Sequence, residues 1–204
     1  MTEASRDEMI NELLERGVEA VYPNKDFLKK KLLSGKKLKI YLGIDPTSPS
    51  LHLGHVIILK KLKSFQNLGH KAVLLIGDFT AMIGDPTGKA EARKQLSREQ
   101  IMFNQEKYKT QAGAVVDFDG PNAAEFKYNS EWLSGLSLED VVGVASKLTV
   151  NQMLKRDMFE NRMKSGLPIY LHEFFYPLMQ GYDSVAMDVD GEVGGNDQTF
   201  NMLV

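Results

Sequence analysis

Residues 38–55 have the sequence LKIYLGIDPTSPSLHLGH, and this stretch decides the fold. Apolar residues at every second position of 38–44 predict a strand, and the following Asp45-Pro46-Thr47 predicts a turn. His52 and His55 then lie at the start of a predicted helix, whose free backbone N–H groups and positive dipole attract anions. With the imidazoles as further donors, and with Gly54 allowing close approach to the backbone, the stretch predicts a triphosphate site.

The histidine pair has two other interpretations. Two histidines three residues apart also fit an exposed pair, or a pair satisfied within the core, at the beginning of a helix. A zinc site is less favoured, because the chain has no cysteine and its only other histidines are His70 and His172. The rest of the sequence must therefore decide between these interpretations.

Composition restricts the class of protein. A chain of 204 residues with 43% hydrophobic content can bury one substantial core, and a net charge of −2 argues against wholesale electrostatic capture of nucleic acid. The absence of cysteine fits a reducing compartment. Residues 1–7 are acidic where a signal peptide would be basic and then apolar, so we expect a cytoplasmic protein.

Helical and extended patterns alternate along the chain. Residues 9–18 predict an amphipathic helix, and the lysine-rich residues 25–39 are better explained as a solvated helix face than as an RNA contact. Residues 55–68 predict a helix that ends at Gly69, and the continuously apolar residues 72–76 predict a buried strand. A strand, a helix and a strand in this order predict a right-handed crossover in a parallel nucleotide-binding sheet.

The remaining patterns complete the predicted fold. Helical spacing recurs in residues 99–112, 138–148 and 151–163, and weaker strands are predicted at 114–118 and 185–189. The predicted class is therefore α/β, with a Rossmann-like parallel sheet, flanking helices and a helical insertion, incomplete at the C-terminus. Residues 1–36 form an N-terminal helical segment in this interpretation, and 37–204 form the main domain.

The ligand is expected at the carboxyl ends of the strands, which residues 41–55, 77–93, 176–183 and 194–198 would line. Residues 84–89, GDPTGK, superficially resemble a phosphate-binding P-loop. The P-loop pattern fails, because Ile83 replaces its first glycine and Ala90 its Ser or Thr. Any triphosphate chemistry therefore belongs to the histidine pair.

Tyr176, Gln180 and Asp183 follow one another at helical spacing and would share one face of a helix. They could form a polar surface stripe, but the apolar residues around them predict a largely buried helix. Buried polar groups need partners, and a bound ligand would supply them. Pro177 must lie in the first turn of this helix or bend it.

Five motifs in this order, YxGxDPT at 41–47, HxGH at 52–55, GDPTGK at 84–89, YxxxQxxD at 176–183 and GGNDQ at 194–198, resemble the bacterial type of tyrosyl-tRNA synthetase among the class I aminoacyl-tRNA synthetases. The resemblance extends from about Tyr41 to Val204. It implies ATP-dependent activation of L-tyrosine to tyrosyl-adenylate, followed by transfer to the 3′ end of tRNA(Tyr). No editing domain is visible in the sequence.

The resemblance implies two sets of site residues. In the tyrosine set, Tyr41 and Asp183 would bind the phenolic hydroxyl, Tyr176, Gln180 and Asp85 the ammonium group, and Gln198 would lie near the reacting carboxylate. In the ATP set, Thr47 and His52 would contact the γ-phosphate, and His55 would contact ATP. Lys89 and Arg93 would hold the leaving pyrophosphate, and Gly195 and Asp197 would bind the ribose. Gly43, Asp45 and Gly54 would shape the nucleotide site.

Several of these residues have simpler explanations. Tyr41 could be a core aromatic residue, Asp85 a turn former before Pro86, and Lys89 and Arg93 exposed charges on a loop. Magnesium is expected to arrive with the nucleotide, and no protein-ligated metal is expected.

The sequence also departs from the family pattern. Leu42 replaces a small polar residue that reaches the ribose in some members. The chain ends at Val204 without a KMSKS-like lysine loop or an anticodon-binding domain, so we expect a fragment whose own activity is doubtful. The family is dimeric, and the apolar residues Leu167, Ile169, Tyr170 and Leu171 would serve either that interface or the core.

Two other functions remain open at this point. Another HxGH nucleotidyltransferase, such as a pantothenate synthetase, would share the triphosphate site without needing Tyr41 and Asp183. A synthetase-like module that binds RNA or protein without catalysis would need neither substrate.

Overall fold

The computed structural model describes residues 3–87 and 95–204, and a parallel sheet organises them. Its four strands are β1 (Lys39–Ile44), β2 (Lys71–Ile76), β3 (Glu125–Tyr128) and β4 (Gly191–Glu192), in the spatial order β3-β2-β1-β4. Strand β1 pairs with both β2 and β4 in parallel. The predicted α/β class with a Rossmann-like sheet and flanking helices is therefore confirmed.

Twelve α-helices lie in the described ranges. They are α1 (Glu3–Glu15), α2 (Lys25–Leu33), α3 (Leu53–Asn67), α4 (Thr80–Ile83), α5 (Arg98–Gln105), α6 (Tyr108–Ala112), α7 (Ser130–Leu133), α8 (Leu138–Ala145), α9 (Val150–Leu154), α10 (Asp157–Lys164), α11 (Phe175–Ala186) and α12 (Thr199–Leu203). Short 3-10 helices at Leu171–Phe174 and Asn196–Gln198 precede α11 and α12.

Both faces of the sheet are covered, which explains why its central strands β1 and β2 are largely apolar after their first residue, a lysine. Leu42 and Leu74 point to one face, where they join the core formed with α1 and α3. Tyr41 and Val73 point to the other face and pack with Met187 beyond the end of α11. Because side chains alternate between the faces of a strand, the register of β1 sends Tyr41 away from the α1 and α3 layer.

Two of the predicted strands are wrong. The strand predicted at 114–118 is absent, because residues 113–116 continue as turns from the end of α6. The edge strand of the sheet is instead β3, in which polar and aromatic residues alternate. Residues 185–186 end helix α11, and Asp188 then takes a left-handed backbone conformation with φ of 49°. The strand in that region is the two-residue β4. Short edge strands carry too few residues for alternation to identify them.

The helices agree better with prediction. The predicted helices at 9–18, 55–68 and 138–148 correspond to α1, α3 and α8, with shifted ends, whereas 99–112 and 151–163 each divide into two helices. The second break lies at Arg156, whose backbone is extended at the N-cap position of α10. Pro177 lies in the first turn of α11, as predicted. None of the helices in the described ranges is long and apolar enough to cross a membrane.

Candidate active site

A cleft of about 390 Å³ opens at the carboxyl ends of the strands, between the beginning of α3 and the face of α11. Every predicted site residue in the described ranges lines it, namely Tyr41, Gly43, Asp45, Thr47, His52, Gly54, His55, Asp85, Tyr176, Gln180, Asp183, Gly195, Asp197 and Gln198. Lys89 and Arg93, the two remaining predictions, lie outside the described residues. Sequence segments far apart thus meet where a parallel sheet positions ligands.

The histidine pair forms one wall of the cleft. His52 is the N-cap of α3, and its ring stacks on that of His55 with centroids 3.8 Å apart. The backbone N–H of His52 donates to Nδ1 of His55 over 3.1 Å. Burial, together with the neighbouring His52, lowers the pKa of His55 to about 4. His55 is therefore neutral near pH 7, and its proton resides on Nε2, where it can be donated to a ligand.

Asp45, at the end of β1, joins the nucleotide wall to helix α11. Its Oδ2 accepts a hydrogen bond of 2.9 Å from the hydroxyl of Tyr176, and its Oδ1 accepts one of 2.7 Å from Thr80. Burial and the nearby carboxylates of Asp45 and Asp85 raise the pKa of Tyr176 well above its usual value. Tyr176 therefore stays protonated and acts as a donor.

The hydrogen bond between Asp45 and Thr80 leaves room only for glycine at position 77. A Cβ atom at this position would collide with Oδ1 of Asp45 and with Oγ1 of Thr80. We expect Gly77→Ala to lower the free energy of unfolding by about 2–3 kcal/mol, because the hydrogen-bonded pair must move apart. Urea denaturation would measure this loss.

Gly143→Ala is the matched control for Gly77→Ala. Gly143 lies within helix α8, and a Cβ there meets nothing within 4 Å. Alanine should increase stability by up to about 1 kcal/mol because of its higher helix propensity. Equal effects of the two substitutions would contradict the assigned role of Gly77.

Asp183 lies at the closed end of the cleft and is only 3% exposed. Its Oδ1 accepts a hydrogen bond of 2.7 Å from the indole N–H of Trp132, and its Oδ2 accepts one of 3.1 Å from Asn129. Burial raises the pKa of Asp183 to about 7, although the bonds from Asn129 and Trp132 oppose this shift. The two donors fix the orientation of a carboxylate that is costly to bury.

Glu192 faces Tyr41 and Gln180 beside Asp183. Oε1 of Glu192 accepts a hydrogen bond of 3.0 Å from Nε2 of Gln180. The hydroxyl of Tyr41 lies 2.9 Å from Oγ of Ser184. Burial raises the pKa of Glu192 to about 7 and that of Tyr41 well above its usual value. Asp183 and Glu192, two acids whose pKa values burial raises to about 7, thus line the cleft together with Tyr41.

The raised pKa of Glu192 predicts a pH-dependent stability. The folded protein holds the proton of Glu192 up to about pH 7, whereas the unfolded chain releases it near pH 4.5, so rising pH destabilises the fold across this interval. In Glu192→Gln this contribution is missing. We expect the variant to gain about 2–3 kcal/mol over the unsubstituted protein between about pH 4.5 and pH 8. Urea denaturation at several pH values would test this, and a constant difference would contradict it.

Asp85 and Gln198 meet at the mouth of the cleft. Nε2 of Gln198 donates to Oδ2 of Asp85 over 2.8 Å, and the backbone N–H of Thr87 donates to Oδ1 of Asp85 over 2.9 Å. Asn201 donates to the amide oxygen of Gln198 and fixes its orientation. Asp85 therefore acts as a turn former, as the simpler explanation had it, and also faces the cleft.

Several polar residues of the site were not predicted from the sequence. Thr80, Asn129 and Glu192 line the cleft, and Trp132 and Ser184 support it. Asn129 and Glu192 come directly after β3 and within β4, the two strands that the sequence patterns misplaced. Correct strand positions would have drawn attention to both residues.

Within residues 3–87 and 95–204, no group of three or more His, Cys, Asp and Glu side chains is arranged to hold a metal ion.

Comparisons with known proteins agree with one another. The family model described as tRNA synthetases class I (W and Y) matches residues 33–204. The tyrosine–tRNA ligase of Carboxydothermus hydrogenoformans is 52% identical over 196 residues, which cover 95% of this chain and 47% of the relative. The tyrosine–tRNA ligase of Deinococcus radiodurans is 50% identical over 207 residues, which cover 100% of this chain and 50% of the relative. The chain thus spans about half the length of these relatives.

Solved structures give the same result. A C-terminally truncated mitochondrial tyrosyl-tRNA synthetase from Coccidioides posadasii matches with a TM-score of 0.79 and 33% identity over 96% of this chain and 56% of that one. The tyrosyl-tRNA synthetase of Archaeoglobus fulgidus, solved in complex with L-tyrosine, matches with a TM-score of 0.73 and 25% identity. The second match covers 96% of this chain and 57% of that one.

Proposed function

The chain belongs to the class I tRNA synthetase family of the tryptophan and tyrosine enzymes, and from this premise we propose that it is the catalytic part of a tyrosine–tRNA ligase. The reaction would join L-tyrosine to AMP from ATP and then transfer the tyrosyl group to the 3′ end of tRNA(Tyr). One observation carries the choice of tyrosine: the closed end of the cleft holds two buried polar groups, Tyr41 and Asp183, rather than an apolar wall.

Tyrosine would lie with its ring between β1 and α11. Its hydroxyl would meet Tyr41 and Asp183, which phenylalanine would leave unpaired at an energetic cost. Its ammonium group would meet Asp85, Tyr176 and Gln180, of which only Asp85 is a carboxylate. The contact between Gln198 and Asp85 supports a position for Gln198 beside the reacting carboxylate.

ATP would bind along the beginning of α3. An oxygen of the tyrosine carboxylate would attack the α-phosphorus while the bond from that phosphorus to the bridging oxygen breaks, so that pyrophosphate leaves. Thr47, His52 and the Nε2 proton of neutral His55 would donate to phosphate oxygens as charge develops there. Gly195 and Asp197 would hold the ribose, and Gly43 and Gly54 would leave room for the nucleotide.

Two basic residues and Mg²⁺ complete the proposed ATP site. Lys89 and Arg93 would grip the pyrophosphate, and Mg²⁺ would be carried by ATP. We further propose that residues 1–36 form an N-terminal helical segment, that 37–204 form the catalytic domain, and that the protein acts in the cytoplasm.

We also propose a homodimer. Leu167, Tyr170 and Leu171 are 39%, 49% and 73% exposed, so these three do not belong to the core. A partner subunit would cover them, which supports the interface alternative. Sedimentation velocity would test this, since a monomer at micromolar concentration would contradict it.

The experiment for tyrosine activation is calorimetric titration of the folded chain with tyrosine, phenylalanine and tryptophan. Tyrosine should bind at least about 100-fold more tightly than phenylalanine, because the unmatched polar pair costs about 2–3 kcal/mol. Equal binding of all three would contradict the assignment of Tyr41 and Asp183. RNA binding that is tight and insensitive to tyrosine would instead support a non-catalytic module.

A further inference from the structure

Arg156 is a buried cation beside the turn that carries Asp85. It is 8% exposed and lies at the N-cap position of α10. Its Nη2 donates a hydrogen bond of 2.9 Å to Oγ1 of Thr87. The guanidinium carbon lies 4.7 Å from the ring centroid of Phe200 and 5.6 Å from that of Phe159. Aromatic rings of α12 and α10 thus hold the cation that contacts the turn.

The hydrogen bond from Arg156 continues to Asp85 through the backbone of Thr87. The N–H of Thr87 donates to Oδ1 of Asp85 over 2.9 Å, while its hydroxyl oxygen accepts from Arg156. Oδ2 of Asp85 accepts from Nε2 of Gln198 over 2.8 Å. A shift of Thr87 would therefore move one oxygen of Asp85 relative to the oxygen that Gln198 holds. The carboxylate would then face the cleft in a different direction.

Stability alone does not explain an arginine at position 156. Nη1 of Arg156 is buried and has no hydrogen-bond partner among residues 3–87 and 95–204. A buried guanidinium with an unpaired N–H group stabilises a fold less than a well-packed apolar side chain of similar size. An apolar side chain, however, could not donate the hydrogen bond to Thr87. That bond is what the arginine adds.

We propose that Arg156 is a positioning residue for recognition of the substrate's ammonium group, acting through the hydroxyl of Thr87 on the turn that holds Asp85. This inference rests on the proposed function, in which Asp85 attracts that ammonium group. Charge-assisted hydrogen bonds are strong only at short distance and good alignment, so a small rotation of Asp85 weakens the contact. The phenolic hydroxyl of the substrate, at the closed end of the cleft, is not affected.

Two ligands separate the ammonium contact from the rest of the binding site. They are tyrosine and 3-(4-hydroxyphenyl)propionate, an acid that lacks only the amino group. The dissociation constant of the acid divided by that of tyrosine, both from calorimetry, measures the preference for the ammonium group. Thr87→Val removes the hydroxyl that accepts from Arg156 but keeps the side-chain size and the N–H that bonds Asp85. The preference should fall by about 5- to 10-fold in this variant.

Thr87→Ser is the matched control, because serine keeps the hydroxyl, and its preference should stay within about twofold. If Thr87→Val does not fold by circular dichroism, Thr87→Ala removes the same hydroxyl and should show the same fall. A preference unchanged without the hydroxyl, or lowered equally in Thr87→Ser, would overturn the inference and leave the ammonium assignment intact. Failure of the folded unsubstituted chain to prefer tyrosine over the acid would overturn the proposed role of Asp85, and this inference with it.

The part that Arg156 plays is tested by combining Thr87→Val with Arg156→Met. In this background Thr87→Val should change the preference by less than about twofold, because the bond to the hydroxyl is already absent. Lys155→Met is the control background, since it removes an exposed positive charge from the neighbouring residue, and there Thr87→Val should keep its full effect. A fall of the same size in both backgrounds would overturn the inference, because the hydroxyl would then act without Arg156.

Discussion

Asp183→Asn should weaken tyrosine binding by about 10- to 150-fold without weakening phenylalanine binding. The reason is that a hydrogen bond to a charged group contributes about 1.5–3 kcal/mol, and asparagine removes the charge. The NH₂ group of the asparagine would also face one of two hydrogen-bond donors, the indole N–H of Trp132 or the amide N–H of Asn129, and could not accept from it. Because phenylalanine has no hydroxyl, the substitution removes no hydrogen bond from it, and an unpaired amide costs less than an unpaired carboxylate.

The comparison of the two ligands isolates the contact with the hydroxyl. Calorimetry of both ligands on both proteins gives a coupling free energy between Asp183 and the hydroxyl group, from which general damage to the cleft cancels. Asp119→Asn is the control, because Asp119 is exposed on a loop and does not line the cleft. Equal losses for tyrosine and phenylalanine would mean that Asp183 supports the cleft without reading the hydroxyl.

The sequence was sufficient for the central part of the fold. Strands β1 and β2 and helix α3 could be predicted because their apolar periodicity reflects burial on defined faces of the sheet. The edge strands β3 and β4 could not, since four and two residues carry too little periodicity. The breaks at Arg156 and between α5 and α6 could not be predicted either, because the helical spacing of the apolar residues continues across them.

The difference between local spacing and the pairing of distant segments also explains which site residues could be predicted. Tyr176, Gln180 and Asp183 share a helix face, so their spacing alone indicated a common surface. Asn129 and Glu192 reach the cleft only through the pairing of edge strands, and the sequence contains no local signal for that pairing. The hydrogen bond between Tyr41 and Ser184 likewise joins two segments far apart along the chain, which a linear pattern cannot reveal.

Asp85→Asn is expected to have the second large effect, a loss of about 10- to 150-fold in tyrosine affinity. Asp85 is 8% exposed, and its carboxylate supplies the negative charge that we assign to the ammonium group of the substrate. Asparagine keeps an acceptor for the N–H of Thr87, so the turn should survive. Gln198 cannot simply reverse its amide to match, because its oxygen already accepts from Asn201.

The ligand that tests this assignment is 3-(4-hydroxyphenyl)propionate, which is tyrosine without its amino group. The unsubstituted chain should prefer tyrosine over this acid, because Asp85 attracts an ammonium group and repels a lone carboxylate. Asp85→Asn should lose that preference and bind the acid at least as well as the unsubstituted chain does. A preference for tyrosine that survives in Asp85→Asn would assign the ammonium group to Tyr176 and Gln180 alone, two neutral groups. Recognition of a charged amine would then rest on hydrogen bonds without an opposing charge.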